Sequence, residues 1–346
     1  MKILHGFANY GTQSGILARM LRSNGFDAVS ITYEDTFLRE TDISIANSKT
    51  TSDKLFNRPI RLLNRIFWFF KFDVFHFYFG ASLLPCHLDF FFYKLFGKKI
   101  ICHYLGNDVQ SYEKSISKYK WTNMPGFIGN GDPIKYDSKI KKRLIVESRF
   151  ADLQVVCAPV YSEFVAKSTV LPLALNIDNF NYNPKKVVNK PIIAHAPTNR
   201  AFKGTDYIQK AVDRLLIEGY NFEFRLIENV THSELKKQYE LCDLFIDQIM
   251  SGWYGTAAIE AMAIGRPVIC SIRKSYFEFI DFGENIPIIH ADPDIIYDVL
   301  KSALDSIEEW PEWGLKSRKF VEQIHDERKV AMKLIELYKN IGLCVE

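Results

Sequence analysis

The stretch "FDVFHFYFG" at residues 72–80, with "CHLDFFFYKLFG" at 86–97 and "KKIICHYLGNDV" at 98–109, decides the fold class of this chain. The first and third segments are short apolar runs that do not alternate with polar residues, whereas the second has the spacing of a helix. Short apolar runs set between helices are typical of parallel strands in a sheet covered on both faces. The stretch therefore predicts an α/β fold.

The same alternation continues toward both ends of the chain. Toward the N-terminus, "KILHGF" predicts a strand, "ANYGTQSG" a turn, and "ILARMLRSNGF" a helix that stops at Gly25. Toward the C-terminus, a second series runs from "PIIAHAP" to "IPIIHA". We expect two Rossmann-like, doubly wound domains that face each other across a cleft, with ligand at the carboxyl ends of the strands.

The Asn-rich stretch "NIDNFNYNPKKVVNK" lies between the two series and has no apolar periodicity. It predicts an N-terminal domain over 1–173, a linker over 174–190 and a C-terminal domain over 191–322. A terminal segment over 323–346 follows. It contains most of the amphipathic stretch "RKFVEQIHDERKVAMKLIELYKNIG" at residues 318–342.

Composition narrows the class of partner. The 346 residues carry a net charge of only +3, too even for a chain whose main partner is nucleic acid. Residues 1–175 carry 23 basic and 15 acidic side chains, whereas the remainder carries 21 and 26. The two halves are therefore expected to face different partners.

Localisation is expected to be cytoplasmic. The opening "MKILHGFANYG" has too short an apolar core for a secretory signal, and no apolar run approaches the roughly 18 residues of a spanning helix. The six cysteines show no paired spacing and are interpreted as buried thiols.

Two stretches of the C-terminal half carry a family resemblance. "YGTAAIEAMAIGRPVI" at 254–269, with "NRAFKGTDYI" at 199–208, resembles the donor-binding domain of retaining GT-B glycosyltransferases, specifically glycosyltransferase family 4. The likeness extends more weakly to the N-terminal Gly loop, to "HYLGNDV" and to "LPLALNIDNFNYNP". It implies sugar transfer from a nucleotide-diphosphate donor to a glycan or lipid-linked acceptor, in cell-surface polysaccharide synthesis. It also implies that the terminal helix crosses back onto the N-terminal domain.

The chemistry of such a transfer explains the first of these stretches. Negative charge accumulates on the departing diphosphate, and Arg200 and Lys203, after the strand "IIAHAP", are placed to stabilise it. Gly204 would let the backbone approach closely, and the first-turn amides of a helix starting at Thr256 would add an anion site. No divalent metal is then required. The alternative is that both cations are solvated at a helix start.

The resemblance assigns Glu260 to the ribose hydroxyls of the nucleotide. A carboxylate can accept hydrogen bonds from two adjacent hydroxyl groups. Eight residues earlier, where the family has a glutamate near the donor sugar, this chain has Gly252. Either Asp247, Gln248 or Ser251 contacts the sugar instead, or donor choice differs, or activity is reduced.

The N-terminal half supplies the remaining candidates. His103 matches a family histidine at the donor sugar, although a structural histidine is the alternative, and the turn "NYGTQSG" matches the Gly loop under the diphosphate, although a tight structural turn is equally compatible. The catalytic candidates are His103, Arg200 and Lys203. The substrate-binding candidates are Gly11, Gly15, Asn107, Asp108, Asn199, Gly204, Ser251, Gly255, Thr256 and Glu260. No metal ligand and no cofactor beyond the donor substrate is expected.

Two further alternatives stay open. A sugar-nucleotide epimerase of the same architecture would act without acceptor, and a catalytically silent nucleotide-sugar-binding subunit would bind without turnover.

Residues 57–99 hold seven basic and two acidic side chains among many aromatics. This pattern predicts either an interfacial contact with the inner face of an anionic membrane or a buried aromatic stripe with a solvated cationic edge.

Overall fold

The computed structural model describes residues 1–33, 40–45, 58–186 and 188–343, with the side chains of residues 33 and 58–62 left out of the description. The chain divides into two compact units. Unit 1 comprises Met1–Gln110, Ser138–Ala174 and Glu327–Glu346, and unit 2 comprises Ser111–Asp137 and Leu175–Asp326. Each unit is built on one parallel sheet.

Unit 1 has a seven-stranded sheet in the order β3-β2-β1-β4-β5-β6-β7. All neighbouring strands pair in parallel. The strands are β1 Lys2–Phe7, β2 Asp27–Tyr33, β3 Ile43–Ile45, β4 Val74–Tyr78, β5 Lys99–Tyr104, β6 Leu153–Val156 and β7 Ser168–Val170.

Unit 2 has a five-stranded parallel sheet in the order β12-β11-β10-β8-β9. Its strands are β8 Ile192–His195, β9 Glu223–Leu226, β10 Leu244–Ile246, β11 Val268–Cys270 and β12 Ile289–His290.

Helices connect the strands, as parallel pairing requires. In chain order they are α1 Gln13–Ser23, α2 Arg58–Lys71, α3 Phe90–Leu95, α4 Tyr112–Lys118, α5 Met124–Ile128, α6 Pro133–Phe150, α7 Arg200–Lys203, α8 Thr205–Ile217, α9 His232–Leu241, α10 Thr256–Ile264, α11 Ile296–Asp305, α12 Trp310–Ile324 and α13 Glu327–Asn340. The expected α/β fold class with two Rossmann-like sheets is confirmed.

The unit boundaries differ from the predicted domain boundaries in the middle of the chain. Ser111–Asp137 belongs to unit 2, although the sequence places it inside an N-terminal domain over 1–173. Close backbone packing holds it there, since a Cβ at Gly126 would lie 2.5 Å from the amide nitrogen of Phe202. This placement depends on contacts between distant segments, which local sequence patterns do not report.

From Leu175 onward the predicted linker over 174–190 belongs to unit 2, and its first part packs there. Leu175, Ile177 and Phe180 are buried, and the Asn183 amide donates to the Ile264 carbonyl at 3.0 Å. The abundant Asn residues hid these apolar anchors from sequence analysis.

The terminal amphipathic stretch is two helices rather than one. α12 ends at Ile324, residues up to Asp326 belong to unit 2, and α13 belongs to unit 1. There α13 shares a core with α1, in which Leu17, Leu21 and Leu334 are fully buried. Arg19 Nη2 also lies 2.7 Å from Glu327 Oε2.

Four cysteines are buried free thiols: Cys102, Cys157, Cys242 and Cys270. Cys86 is exposed, so the expectation of a buried thiol is wrong there, and Cys344 lies outside the described residues. Within the described ranges, no helix is both long and apolar enough to cross a membrane.

Candidate functional site

The sheet of unit 2 has a topological switch point between β8 and β10. Because β9 lies on one side of β8 and β10 on the other, the chain leaves these two strands in opposite directions. A crevice opens at such a point beside the carboxyl ends of the strands. The segments that follow β8 and β10, residues 196–204 and 247–255, therefore come together.

A buried ion pair joins these segments. Lys203, 8% exposed, donates from Nζ to Oδ1 of Asp247, which is fully buried. The other carboxylate oxygen, Oδ2, accepts the Gly255 amide hydrogen at 3.0 Å. A single carboxylate thus holds both the lysine and the residue that precedes α10.

His195 fixes the end of β8. Its Nδ1 lies 2.8 Å from the Ile246 carbonyl oxygen and its Nε2 lies 2.9 Å from the Thr205 hydroxyl. Burial lowers its pKa to about 4, so the ring is neutral at physiological pH. The imidazole therefore ties β8 to β10 and to the start of α8 without adding charge to the site.

α7 is shaped by its two ends. Asn199 caps it by accepting the Phe202 amide hydrogen at 3.0 Å, and its own amide donates to Gly126 O at 3.1 Å. Gly204 follows at φ +82, and a Cβ there would lie 2.6 Å from Ile249 Cγ1. Glycine is required by both the backbone angle and the close approach.

Arg200 and Lys203 do not share a partner. Arg200 is exposed and forms a bidentate pair with Glu228, with Nε–Oε1 at 2.9 Å and Nη2–Oε2 at 2.6 Å. The two cations of α7 therefore pair with carboxylates that follow different strands, Glu228 after β9 and Asp247 after β10. Lys203 is the one embedded in the site, whereas Arg200 fits the alternative of a surface cation.

The N-terminus of α10 completes the site. Gly255 precedes the helix in an extended conformation and makes no side-chain cap hydrogen bond, and Thr256 and Ala257 are half-exposed. First-turn amides have no partner within their own helix and carry the positive end of its dipole. These amides can donate hydrogen bonds to an anion bound beside Lys203.

Glu260 lies one turn further along α10 and is 7% exposed. Its Oε1 lies 2.8 Å from Nε2 of His232, the first residue of α9, and this hydrogen bond raises the pKa of the half-exposed imidazole. The buried carboxylate therefore has a partner, as the cost of burying an unpaired charge requires. Nothing in the spacing of the sequence linked these residues.

The side chain of Arg273 fills the space that a side chain at Gly252 would occupy. At φ +76, a Cβ would lie 2.5 Å from Nη1 of Arg273. That guanidinium donates to Ser251 O at 3.0 Å and to the Trp121 carbonyl oxygen, and it lies 3.9 Å from the centroid of the Tyr119 ring. It forms no ion pair with any other described residue. A cation thus occupies the space that a side chain at position 252 would need.

The three side chains considered as substitutes for that glutamate are already engaged. Asp247 holds Lys203, while Gln248 Nε2 and Ser251 Oγ donate to Trp253 O at 2.6 and 2.7 Å. They shape the segment after β10.

A cavity of about 630 Å³ lies at the carboxyl ends of β11 and β12. Its wall includes the rings of Tyr119, Trp121 and Phe277 together with Arg273 and Asp292. All of its lining residues belong to unit 2.

In unit 1, His103 belongs to a buried cluster of histidines. Its Nδ1 lies 3.1 Å from Nε2 of His76, whose Nδ1 lies 2.6 Å from the Tyr338 hydroxyl, and His5 stacks on His76. Burial lowers the pKa of His5 and of His103 to about 3 and that of His76 well below its usual value. Nε2 of His103 is buried without a hydrogen-bond partner in the described chain.

Asn107 and Asp108 follow β5 and are buried. Oδ1 of Asp108 accepts the Gly106 amide hydrogen at 2.9 Å, and Oδ2 has no partner among the described residues. Burial raises the pKa of this carboxyl to about 7, so it titrates near neutrality.

The two glycines of the N-terminal turn, Gly11 and Gly15, are required by the local backbone structure. Gly11 adopts φ +55, and its carbonyl accepts from Gln13 Nε2 at 2.8 Å. A Cβ at Gly15 would lie 2.1 Å from Glu40 O. These observations support the structural reading of the turn.

Within the described part of the chain, no cluster of three or more His, Cys, Asp or Glu side chains could hold a metal ion.

No protein-family profile matches the chain. A curated relative is "Putative glycosyltransferase 45" of the Sulfolobus islandicus filamentous virus, 27% identical over 127 residues, which are 32% of this chain and 36% of the viral protein. The match thus spans about a third of that relative.

Solved structures match over nearly the whole chain. HepE of Anabaena in complex with UDP-glucose has a TM-score of 0.64 at 11% identity, covering 98% of this chain and 100% of that one. Sucrose-phosphate synthase from Thermosynechococcus elongatus has a TM-score of 0.61 at 14% identity, covering 99% of both. A Listeria monocytogenes protein described as a UDP-N-acetylglucosamine 2-epimerase scores 0.54 at 12% identity, covering 99% and 96%. The chain therefore has the GT-B fold.

Proposed function

We propose that this chain is a glycosyltransferase that moves a sugar from a nucleotide-diphosphate donor to a glycan or lipid-linked acceptor. The observation that carries the proposal is the arrangement of Lys203, Asp247 and the α10 N-terminus at the switch point of the sheet of unit 2. A buried cation beside helix amides is suited to a diphosphate. The viral relative's name agrees with this assignment.

Lys203 has the central role. Its ammonium has three N–H donors, of which one is held by Asp247, so the others can reach diphosphate oxygens. Asp247 acts as a positioning residue, because it fixes both the lysine and the Gly255 amide in place. The developing charge of the leaving group is then met by groups that need no reorganisation.

Glu260 is proposed to read the ribose hydroxyls of the nucleotide. It lies on the second turn of α10, behind the amides that would hold the diphosphate. His232 Nε2, 2.8 Å from Oε1, keeps this carboxylate oriented for the proposed contact with ligand hydroxyls.

The proposed transfer retains the anomeric configuration. The bond between the anomeric carbon and the diphosphate oxygen breaks, the acceptor hydroxyl oxygen bonds to that carbon, and its proton passes to the departing phosphate. In this route Asp247 and Glu260 bind and orient groups of the site, through Lys203 and His232, and neither is required as a nucleophile. The reaction is proposed to need no metal and to serve surface polysaccharide synthesis.

A panel of nucleoside diphosphates tests the binding step, because a ligand of the native state raises the melting temperature. We expect one or two of them to stabilise the protein and the free nucleosides to do so far less. The stabilising nucleotide is then supplied as its sugar conjugates with oligosaccharide acceptors, and the anomeric configuration of the product is measured by NMR.

Three outcomes would overturn the proposal. Conversion of the sugar nucleotide without acceptor would indicate an epimerase, and binding without any turnover would indicate a silent subunit. An inverted product would remove the retaining mechanism.

A further inference from the structure

Unit 1 presents a cluster of large apolar side chains to solvent on α2, on α3 and just before and after α3. Single exposed apolar residues are ordinary, but a contiguous group on one face marks an interaction surface. We name this group the aromatic face. Its exposed members are Leu63, Ile66, Phe67, Phe70, Leu88, Phe91, Phe92, Leu95 and Phe96.

The spacing on α2 shows that the exposure is directional. Leu63, Ile66, Phe67 and Phe70 lie at i, i+3, i+4 and i+7, so they form one stripe of the helix. An amphipathic helix normally turns such a stripe to the core, whereas Phe67 and Phe70 are 57% and 63% exposed. Of the two alternatives, a buried aromatic stripe does not describe this face of α2.

Ring contacts join α2 and α3 into one surface. The centroid of the Phe96 ring lies 5.4 Å from that of Phe69 and 6.0 Å from that of Phe70, in edge-to-face geometry. Between the helices is an apolar cavity of about 270 Å³, lined among others by Phe69, Phe92 and Leu84. The cavity is wide enough to take part of an acyl chain.

Cations surround the aromatic face. Lys71 Nζ lies 5.4 Å from the Phe67 ring centroid, Lys98 Nζ lies 5.3 Å from that of Phe69, and Arg65 lines the apolar cavity. Lys98 Nζ also donates to the Phe72 carbonyl oxygen at 2.5 Å, and none of the three forms an ion pair with another described residue, whereas Lys94 and Lys99 share Asp152. These cations give the apolar face a positive rim.

We propose that the aromatic face docks unit 1 onto an anionic lipid bilayer. Aromatic and leucine side chains partition into the interfacial region, and Lys and Arg at the rim attract anionic headgroups. The rim selects this occupant over a second copy of the chain, because face-to-face association would bring the same cations together. The proposal does not depend on the sugar transfer proposed above.

Vesicle flotation of the full chain tests the proposal. We expect the protein to float with phosphatidylcholine vesicles that contain roughly 30 mol% of the anionic lipid phosphatidylglycerol. It should float much less with vesicles of phosphatidylcholine alone. The double variant Phe67→Ser/Phe70→Ser should lower the partition coefficient at least tenfold. Lys71→Gln should lower it about fivefold on the anionic vesicles only, the equivalent of ~1 kcal/mol per cation.

A matched control removes an equally exposed apolar side chain elsewhere. Ile217 is 86% exposed and lies in unit 2, so Ile217→Ser should float like the wild type. The melting temperature of each variant verifies that it is folded. We expect all of them to fold, because the substituted side chains are exposed.

The proposal is overturned if the wild type does not float with anionic vesicles, or if the folded Phe67→Ser/Phe70→Ser variant floats equally well. It is also overturned if light scattering shows a dimer that this double variant abolishes while neither protein binds vesicles, because the face is then a self-association surface.

Discussion

Lys203 and Asp247, 44 residues apart in sequence, form a buried ion pair at the switch point of the sheet of unit 2. The second oxygen of Asp247 holds the Gly255 amide at 3.0 Å. The cation proposed to meet the diphosphate and the helix proposed to receive it are therefore positioned by the same carboxylate.

Replacing Lys203 with alanine should reduce turnover more than nucleotide affinity. The leaving group carries its greatest charge in the transition state, and loss of one preorganised donor costs about 10²–10³ in kcat. Nucleotide Kd from calorimetry and kcat from a transfer assay separate the two effects. Equal losses would indicate simple binding.

The same variant should also be destabilised, because it leaves Asp247 charged, buried and unpaired, at a cost of about 3–5 kcal/mol. Lys203→Ala/Asp247→Asn serves as its control. We expect this double variant to recover much of the melting temperature and none of the turnover. Recovery of turnover would remove Lys203 from the chemistry.

Glu260→Gln should weaken binding of a nucleoside diphosphate and leave inorganic pyrophosphate unaffected, because the proposed contact is to ribose. His232→Ala should act in the same direction but less strongly, since it only orients the carboxylate. Competition calorimetry with both ligands measures this. An equal loss of pyrophosphate binding would show that Glu260 supports the diphosphate site instead.

Installing the family glutamate, Gly252→Glu, should destabilise the protein rather than raise its activity. The new Cβ would lie 2.5 Å from the Arg273 guanidinium, and the position at φ +76 costs about 1–2 kcal/mol for any L side chain. Gly252→Glu/Arg273→Ala relieves the clash but not the backbone strain, so its melting temperature should lie between those of the single variant and the wild type. A fully stable Gly252→Glu protein would contradict this geometry.

Stability should fall as pH falls below about 6.5, the ordinary histidine pKa. Burial lowers the pKa of His5 and His103 to about 3, so the unfolded chain binds more protons between the two values. Stability from each group is complete above the unfolded pKa and decreases by about 1.4 kcal/mol per pH unit below it.

Urea unfolding at a series of pH values measures this slope. His103→Gln should flatten it, because one histidine that is buried in the neutral form is removed. A slope that is the same in the variant and the wild type would show that His103 does not titrate as a buried neutral group.

The parallel sheets were predictable because buried strands such as β4 are continuous apolar runs, and the stop of α1 was predictable from Gly25. The place of Ser111–Asp137 in unit 2 was not, because its position depends on backbone packing between Gly126 and Phe202. Local patterns report the strand and the helix, and they do not report which sheet a returning segment joins.

Candidate site residues could be proposed from the sequence where their chemistry is carried by neighbours in the chain, as in Lys203 followed by Gly204. His232 and Arg273 were missed, since each reaches its partner from a distant part of the chain. The pairing of Arg200 with Glu228 also depends on which strands are neighbours, which the sequence alone did not specify. These contacts depend on strand order and on the packing of helices and loops that are distant in sequence.

A crystal soaked with the nucleoside diphosphate that gives the largest thermal shift tests the central claim most directly. The account predicts difference density for two phosphates within hydrogen-bond distance of Lys203 Nζ and of the Thr256 and Ala257 amides, with the ribose at Glu260. Density for the nucleotide elsewhere, with the Lys203–Asp247 pair and the α10 amides untouched, would contradict it.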